Sequence, residues 1–242
     1  MFLTKRATLI FDNSNQIIVE IGAGQGLVSI VTSIVLQKLN KTGRIYVTDG
    51  DESCLVQTQK NIDRYSDTRN SNDTRGTVIS TTNTVRWGVE KDIQHFEAAT
   101  WVFAADVVFE NKDVNKEDIE LQQNNLHAAN HAFKALTKTF DDLIPTTTTT
   151  AAAAAGGGTT NESEGAALLL AYKRRRYNRE VKFFALMKEK GFKKWNVKKR
   201  YVAHQFRNEF ELICFDKNGK TCLQRLKQMV KEEKAVENKN EL

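Results

Sequence analysis

The apolar positions of this chain fall into short unbroken runs separated by longer amphipathic stretches. The first run, QIIVEIG at 16–22, lacks the three-to-four spacing of a helix, and such runs mark strands buried on both faces. Glycines follow at once. LVSIVTSIVLQKLN (27–40) then reads as a helix packed on that strand, closed by Gly43. RIYVTD (44–49) is a second strand. DESCLVQTQKNIDR (51–64) is a second helix, with Leu55, Gln59 and Ile62 on one face and Asp51 and Glu52 at its favourable N-terminal end.

Polar YSDTRNSNDTRG (65–76) predicts a loop, 77–85 a weaker strand and RWG (86–88) another loop. TWVFAADVVF (100–109) is the next strand, and 117–140 a helix with Ile119, Leu126, Phe133 and Leu136 on its apolar side. AALLLAYKRR (166–175) reads as a strand and NREVKFFALMKEKG (178–191) as an amphipathic helix stopped by Gly191. Stretches around 195–203 and 209–215 predict a hairpin, with FRNEF (206–210) between them. The β-α-β-α order of the first elements is the signature of a doubly wound α/β sheet, here closed by an antiparallel C-terminal hairpin.

Between the third helix and the strand after it lies PTTTTTAAAAAGGGTTNESEG (145–165), which can bury almost nothing. It is expected to be a disordered insertion within a single domain spanning 1–242, with 221–242 a charged tail. Composition agrees: 40% of the 242 residues are apolar and 27% charged, enough for one core and its surface. With 36 basic against 30 acidic residues the net charge is +6, mildly basic and short of a dedicated nucleic-acid binder. Lys173-Arg174-Arg175-Arg176 and KKWNVKKR (193–200) form a basic rim, whose expected partner is an acidic protein surface rather than nucleic acid.

No apolar run approaches the ~18 residues of a membrane span. MFLTKRATLIF at the N-terminus lacks a small-residue cleavage site, so neither a membrane nor an export role is expected. Cys54, Cys214 and Cys222 form no CxxC pair, and an odd number is a poor disulfide framework. The thiols are therefore expected to be reduced and the compartment cytoplasmic or nuclear. His127 and His131 lie four apart, but HAANH has no intervening Glu and no third ligand, so no metal site is expected.

The chemistry concentrates after the first strand, in Glu20-Ile-Gly22-Ala-Gly24-Gln-Gly26. Glycine suits that position because the backbone must turn sharply and admit a ligand without a Cβ in the way. The pattern is GxGxG, whereas the dinucleotide fingerprint has its third glycine one position later, where this chain has Leu27. Asp49 ends the second strand, where a carboxylate can accept both hydroxyls of a ribose. Together the two features point to an adenosine-type ligand.

VEIGAGQGL, YVTDGDESCL with Asn61, RWG, AADVVF, LLAYKRR and KFFALM follow in the order seen in seven-strand S-adenosylmethionine methyltransferases. From about 16 to 215, interrupted by the insertion, the chain resembles the family 16 branch, which includes protein lysine methyltransferases of the methyltransferase-like 21 and 22 kinds. The resemblance implies a Rossmann-like seven-strand sheet and S-adenosyl-L-methionine bound at the carboxyl ends of the first two strands. Carried over by position, Glu20, Gly22, Gly24, Gly26, Asp49, Trp87 and Ala105 belong to the cofactor site. Within it the glycines lie beside the methionine part, Asp49 holds the ribose and Trp87 walls the adenine. Asp106 and Phe109 match the family's Asp-x-x-Tyr motif, in which the acid faces the substrate amine; Phe109 stands in place of the tyrosine.

Family members carry a lid segment ahead of the first strand. Here residues 1–15 precede it without a tryptophan, so a shortened or different lid with weaker cofactor binding is expected. The reading is a monomeric methyltransferase acting on a protein side chain, lysine first. Two other classes share its features: a non-catalytic or truncated module that kept the fold, and an NAD-dependent oxidoreductase built on the same first βαβ unit.

Overall fold

The computed structural model describes residues 10–11, 15–67, 78–108, 119–145, 165–173, 177–197, 209–224 and 227. In chain order the elements are β1 (Asn15–Ile21), α1 (Leu27–Lys38), β2 (Thr42–Asp49), α2 (Glu52–Asp67), β3 (Val78–Thr84), β4 (Trp101–Ala105), α3 (Ile119–Leu143), β5 (Ala167–Lys173), α4 (Tyr177–Glu189), β6 (Lys193–Asn196) and β7 (Phe210–Asp216). The strands form one seven-stranded sheet in the order β3-β2-β1-β4-β5-β7-β6. β1 to β5 run parallel, and β7 lies antiparallel between β5 and β6. The expected C-terminal antiparallel pair is present, although its first strand is 193–196 rather than around 195–203, and β4 and β5, which flank the 145–165 tract, pair directly.

The unbroken apolar runs are explained by helices on both faces. Along β1, Ile17, Val19 and Ile21 point to one core with Phe133, Leu136 and Phe140 of α3 and Phe183 and Met187 of α4. Ile18 points the other way, with Ile45 of β2, Trp101 of β4, Val35 and Leu36 of α1 and Ile62 of α2. A strand buried on both faces has no polar side to alternate, so period two is masked in its sequence. Among the described residues no helix is long and apolar enough to cross a membrane.

Three expectations need correction. The strand read as 100–109 stops at Ala105, because Asp106 adopts a left-handed backbone (φ 58°) that breaks the ladder. Val107 and Val108 are apolar because they are buried in the core, Val107 against Gly22 of the first glycine turn, not because they pair. On α2, Thr58 rather than Gln59 shares the buried face with Leu55 and Ile62.

The cysteines are not all reduced: Cys214 in β7 and Cys222 form a disulfide with Cα atoms 5.9 Å apart. Eight residues of separation carry no pairing signal in sequence. The turn that brings the two together is closed by Asp216, which accepts hydrogen bonds from the backbone N–H of Gly219 (2.7 Å) and Cys222 (2.6 Å). Phe109, the tract 146–164, Arg174–Arg176, the segment 198–208 and the tail beyond 224 apart from Lys227 lie outside the described residues, as do the side chains of Ile119, Leu126 and His127.

Candidate active site

In doubly wound sheets the ligand crevice opens at the carboxyl ends of strands where the chain's winding reverses. Here that point lies between β1 and β4, which are neighbours in the sheet and run in parallel register from Ile18 opposite Trp101 to Ile21 opposite Ala104. The turn that leaves β1 is built almost wholly from left-handed glycines: Gly22 (φ 70°), Gly24 (φ 53°) and Gly26 (φ 76°). Two of them are required by close packing as well. A Cβ on Gly22 would lie 2.6 Å from Cγ1 of Val107, and one on Gly26 would lie 2.7 Å from Cγ2 of Thr58. Gly24 differs, since a Cβ there would meet nothing within 4 Å. Its outer side is open space into which a ligand can approach the backbone.

Neighbouring elements clamp this turn. Gly24 donates its N–H to Oδ2 of Asp49 (2.9 Å), which joins the turn to the end of β2. From α2, Thr58 donates its hydroxyl to the Gly24 carbonyl, and Asn61 donates its amide to the Gln25 carbonyl at 2.9 Å. The other carboxylate oxygen of Asp49 accepts the Asp51 N–H at 3.0 Å. Each oxygen of Asp49 therefore holds one backbone donor and keeps a lone pair for a second.

Glu20 sits behind the turn. Its carboxylate, 2% exposed, accepts the backbone N–H of Ser29 (3.0 Å) and the Ser29 hydroxyl in the first turn of α1. Gly26 precedes that helix without any side-chain cap, so Glu20 supplies from β1 the acceptor that a capping residue would otherwise provide. Burial pushes its pKa up to about 7 against the opposing pull of the two Ser29 hydrogen bonds, and the charge of Asp49 adds to the rise.

Beyond β3, Val85 donates its N–H to the Asp49 carbonyl (2.9 Å), so the RWG loop begins alongside Asp49. Trp87 is half-buried there, packed on the core that α3 covers. Ala105, half-buried, closes β4, and Asp106 follows it, exposed and left-handed, with its N–H bonded to the Ala171 carbonyl of β5 at 2.9 Å. A non-glycine residue held in that conformation is costly, and such residues cluster at functional sites. The sequence motifs did not mark Thr58 or Ser29 as part of this framework. The only signal available was the placement of Thr58 and Asn61 three apart on the face of α2 that meets the turn.

A parallel sheet of this strand order with an antiparallel seventh strand, a glycine turn after β1 and a carboxylate ending β2 defines the Rossmann-like methyltransferase class of α/β folds. The family model described as lysine methyltransferase matches residues 1–139, more than half of the chain, and the protein belongs to that family. No curated protein sequence matches the chain.

Among solved structures, it is similar to the CMeT domain of the citrinin polyketide synthase at 12% identity and a TM-score of 0.49, covering 84% of this chain and 46% of that one. It is similar to the CurJ carbon methyltransferase at 14% identity and a TM-score of 0.49, covering 89% and 53%. A SAM-dependent methyltransferase from Aquifex aeolicus aligns at 10% identity and a TM-score of 0.40, covering 88% and 90%. The chain spans about half the length of the first two.

Proposed function

We propose that this chain is an S-adenosylmethionine-dependent methyltransferase acting on a lysine side chain of a protein. The observation that carries the reading is the open space over Gly24 beside Asp49, at the mouth of the β1–β4 crevice, in a chain of this family. The residues present fit the cofactor. Gly22, Gly24 and Gly26 let its chain lie against the backbone, Asp49 offers acceptor positions to the two ribose hydroxyls, and Trp87 faces the adenine. Glu20 supports this wall from behind, through α1.

When bound, S-adenosylmethionine supplies a methyl group on a positively charged sulfonium, so transfer to an amine is an in-line displacement governed by alignment. Asp106, at the end of β4, orients the incoming amine by accepting its hydrogen bond. A carboxylate also favours the protonated amine, so loss of that proton relies on the substrate covering the exposed Asp106 and removing water from it.

Calorimetric titration tests the assignment. S-adenosylhomocysteine should bind saturably and NADH should not; the reverse result would make the chain a dinucleotide enzyme. Asp49→Ala should weaken S-adenosylhomocysteine by about 1.5–3 kcal/mol, the loss typical of a hydrogen bond to a charged group.

A further inference from the structure

The loop that carries Trp87 is fixed on both sides of that residue. On one side Asp92 accepts three hydrogen bonds from Arg86: from its backbone N–H (3.1 Å), from Nε (2.9 Å) and from Nη2 (2.9 Å). On the other, Gly88 donates its N–H to the Thr139 hydroxyl of α3 at 2.8 Å. Gly88 is left-handed (φ 82°) and so close to α3 that a Cβ would lie 3.2 Å from Ala135. The segment between is closed on itself, with the Val89 N–H bonded to the Arg86 carbonyl and the Asp92 N–H to the Val89 carbonyl, both at 3.1 Å.

Exposed ion pairs usually contribute little. This one is different in kind, because the Asp92 side chain is only 10% exposed and one of its three bonds fixes main chain rather than a mobile side chain. Through Val85 and the Asp49 carbonyl, the same loop is tied to the strand end whose carboxylate meets Gly24. Trp87 and Asp49 are therefore held by one framework.

Resting on the methyltransferase reading, we infer that Arg86 and Asp92 are a positioning pair for the adenosine subsite, holding Trp87 as its preformed wall while touching no ligand themselves. Preorganisation of this kind raises affinity by removing the ordering that binding would otherwise require. The proposed effect runs through the placement of Trp87, so its dependence on that side chain distinguishes it from general stabilisation of the fold.

The test is a double-mutant cycle read by calorimetric titration with S-adenosylhomocysteine on the full chain. Asp92→Ala should raise Kd by about five- to tenfold in the wild-type background, and by less than about twofold once Trp87→Ala is present, since coupled residues are not additive. Thr139→Val, which removes the bond to Gly88 from the opposite side, should behave in the same way and serves if Asp92→Ala does not fold. Arg86→Met is the third route to the same measurement. Kd unchanged in these variants, or losses that multiply independently of Trp87, overturns the inference while leaving the methyltransferase reading intact. A wild-type chain that binds no S-adenosylhomocysteine overturns both.

Discussion

Replacing Glu20 by glutamine should stabilise this protein at alkaline pH and do little in acid. The carboxylate is 2% exposed, and its pKa rises from the ordinary 4.5 to about 7 on folding. A raised pKa means that the folded state binds the proton more tightly than the unfolded chain. The wild type therefore has its full stability below the unfolded value and loses part of it as pH rises through about 7. A rise from 4.5 to about 7 corresponds to about 3 kcal/mol at high pH.

Glutamine keeps an oxygen that can accept both Ser29 hydrogen bonds, as the protonated acid does, but never charges. Urea titrations of both proteins at acid, neutral and alkaline pH isolate the effect, because every other group titrates alike in the two chains. The difference in unfolding free energy should be near zero at the acid end, open through neutrality and level off near 3 kcal/mol. Parallel curves, or a wild type more stable than the variant in alkali, would refute a buried, destabilised carboxylate at this position.

Gly22→Ala should lose about 2–4 kcal/mol of stability by urea titration, from a left-handed backbone and a contact with Val107. Gly24→Ala, left-handed but facing open space, should lose only about 1 kcal/mol and instead weaken S-adenosylhomocysteine. Reduction of the Cys214–Cys222 disulfide, or Cys222→Ser, should lower stability by about 2–3 kcal/mol, as expected for closing so short a loop; equal melting with and without reductant would contradict it. Asp106→Gly should gain up to about 1 kcal/mol by relieving a left-handed residue. Asp106→Asn should lower methyl transfer by roughly 10²-fold, with S-adenosylhomocysteine affinity held within about threefold, measured with a radiolabelled methyl donor and cell extract.

Legibility in the sequence followed the kind of constraint each residue meets. β1, β2, β4 and β5 were readable because burial on both faces forces unbroken apolar runs, and the glycine turn because three left-handed positions leave little choice of residue. Where two causes produce the same letters, reading fails. Val107 and Val108 are as apolar as the strand before them, yet they are buried, Val107 against Gly22, after the ladder has ended. The stop itself is invisible in sequence, because it lies in the backbone angle of an aspartate.

The parts that hold the site together were hidden for a different reason. Thr58 meets a carbonyl 34 residues earlier in the chain, and Gly88 meets Thr139 across 51 residues. Serine, threonine and asparagine on helices satisfy their own helix as readily as a distant partner, and Thr58 and Thr139 do both: Thr58 shares its one hydroxyl proton between the Gly24 and Cys54 carbonyls, and Thr139 donates to the Ala135 carbonyl while accepting from Gly88. Their letters therefore carry no trace of the second bond. Asp92 is the same case in a loop, since an aspartate near an arginine in sequence reads as solvated charge until the fold turns its carboxylate onto that arginine's backbone N–H as well as its guanidinium. A motif shows where a ligand can approach, whereas the residues that make the approach rigid become visible only when the sheet brings the glycine turn, the end of β2 and the RWG loop to one edge.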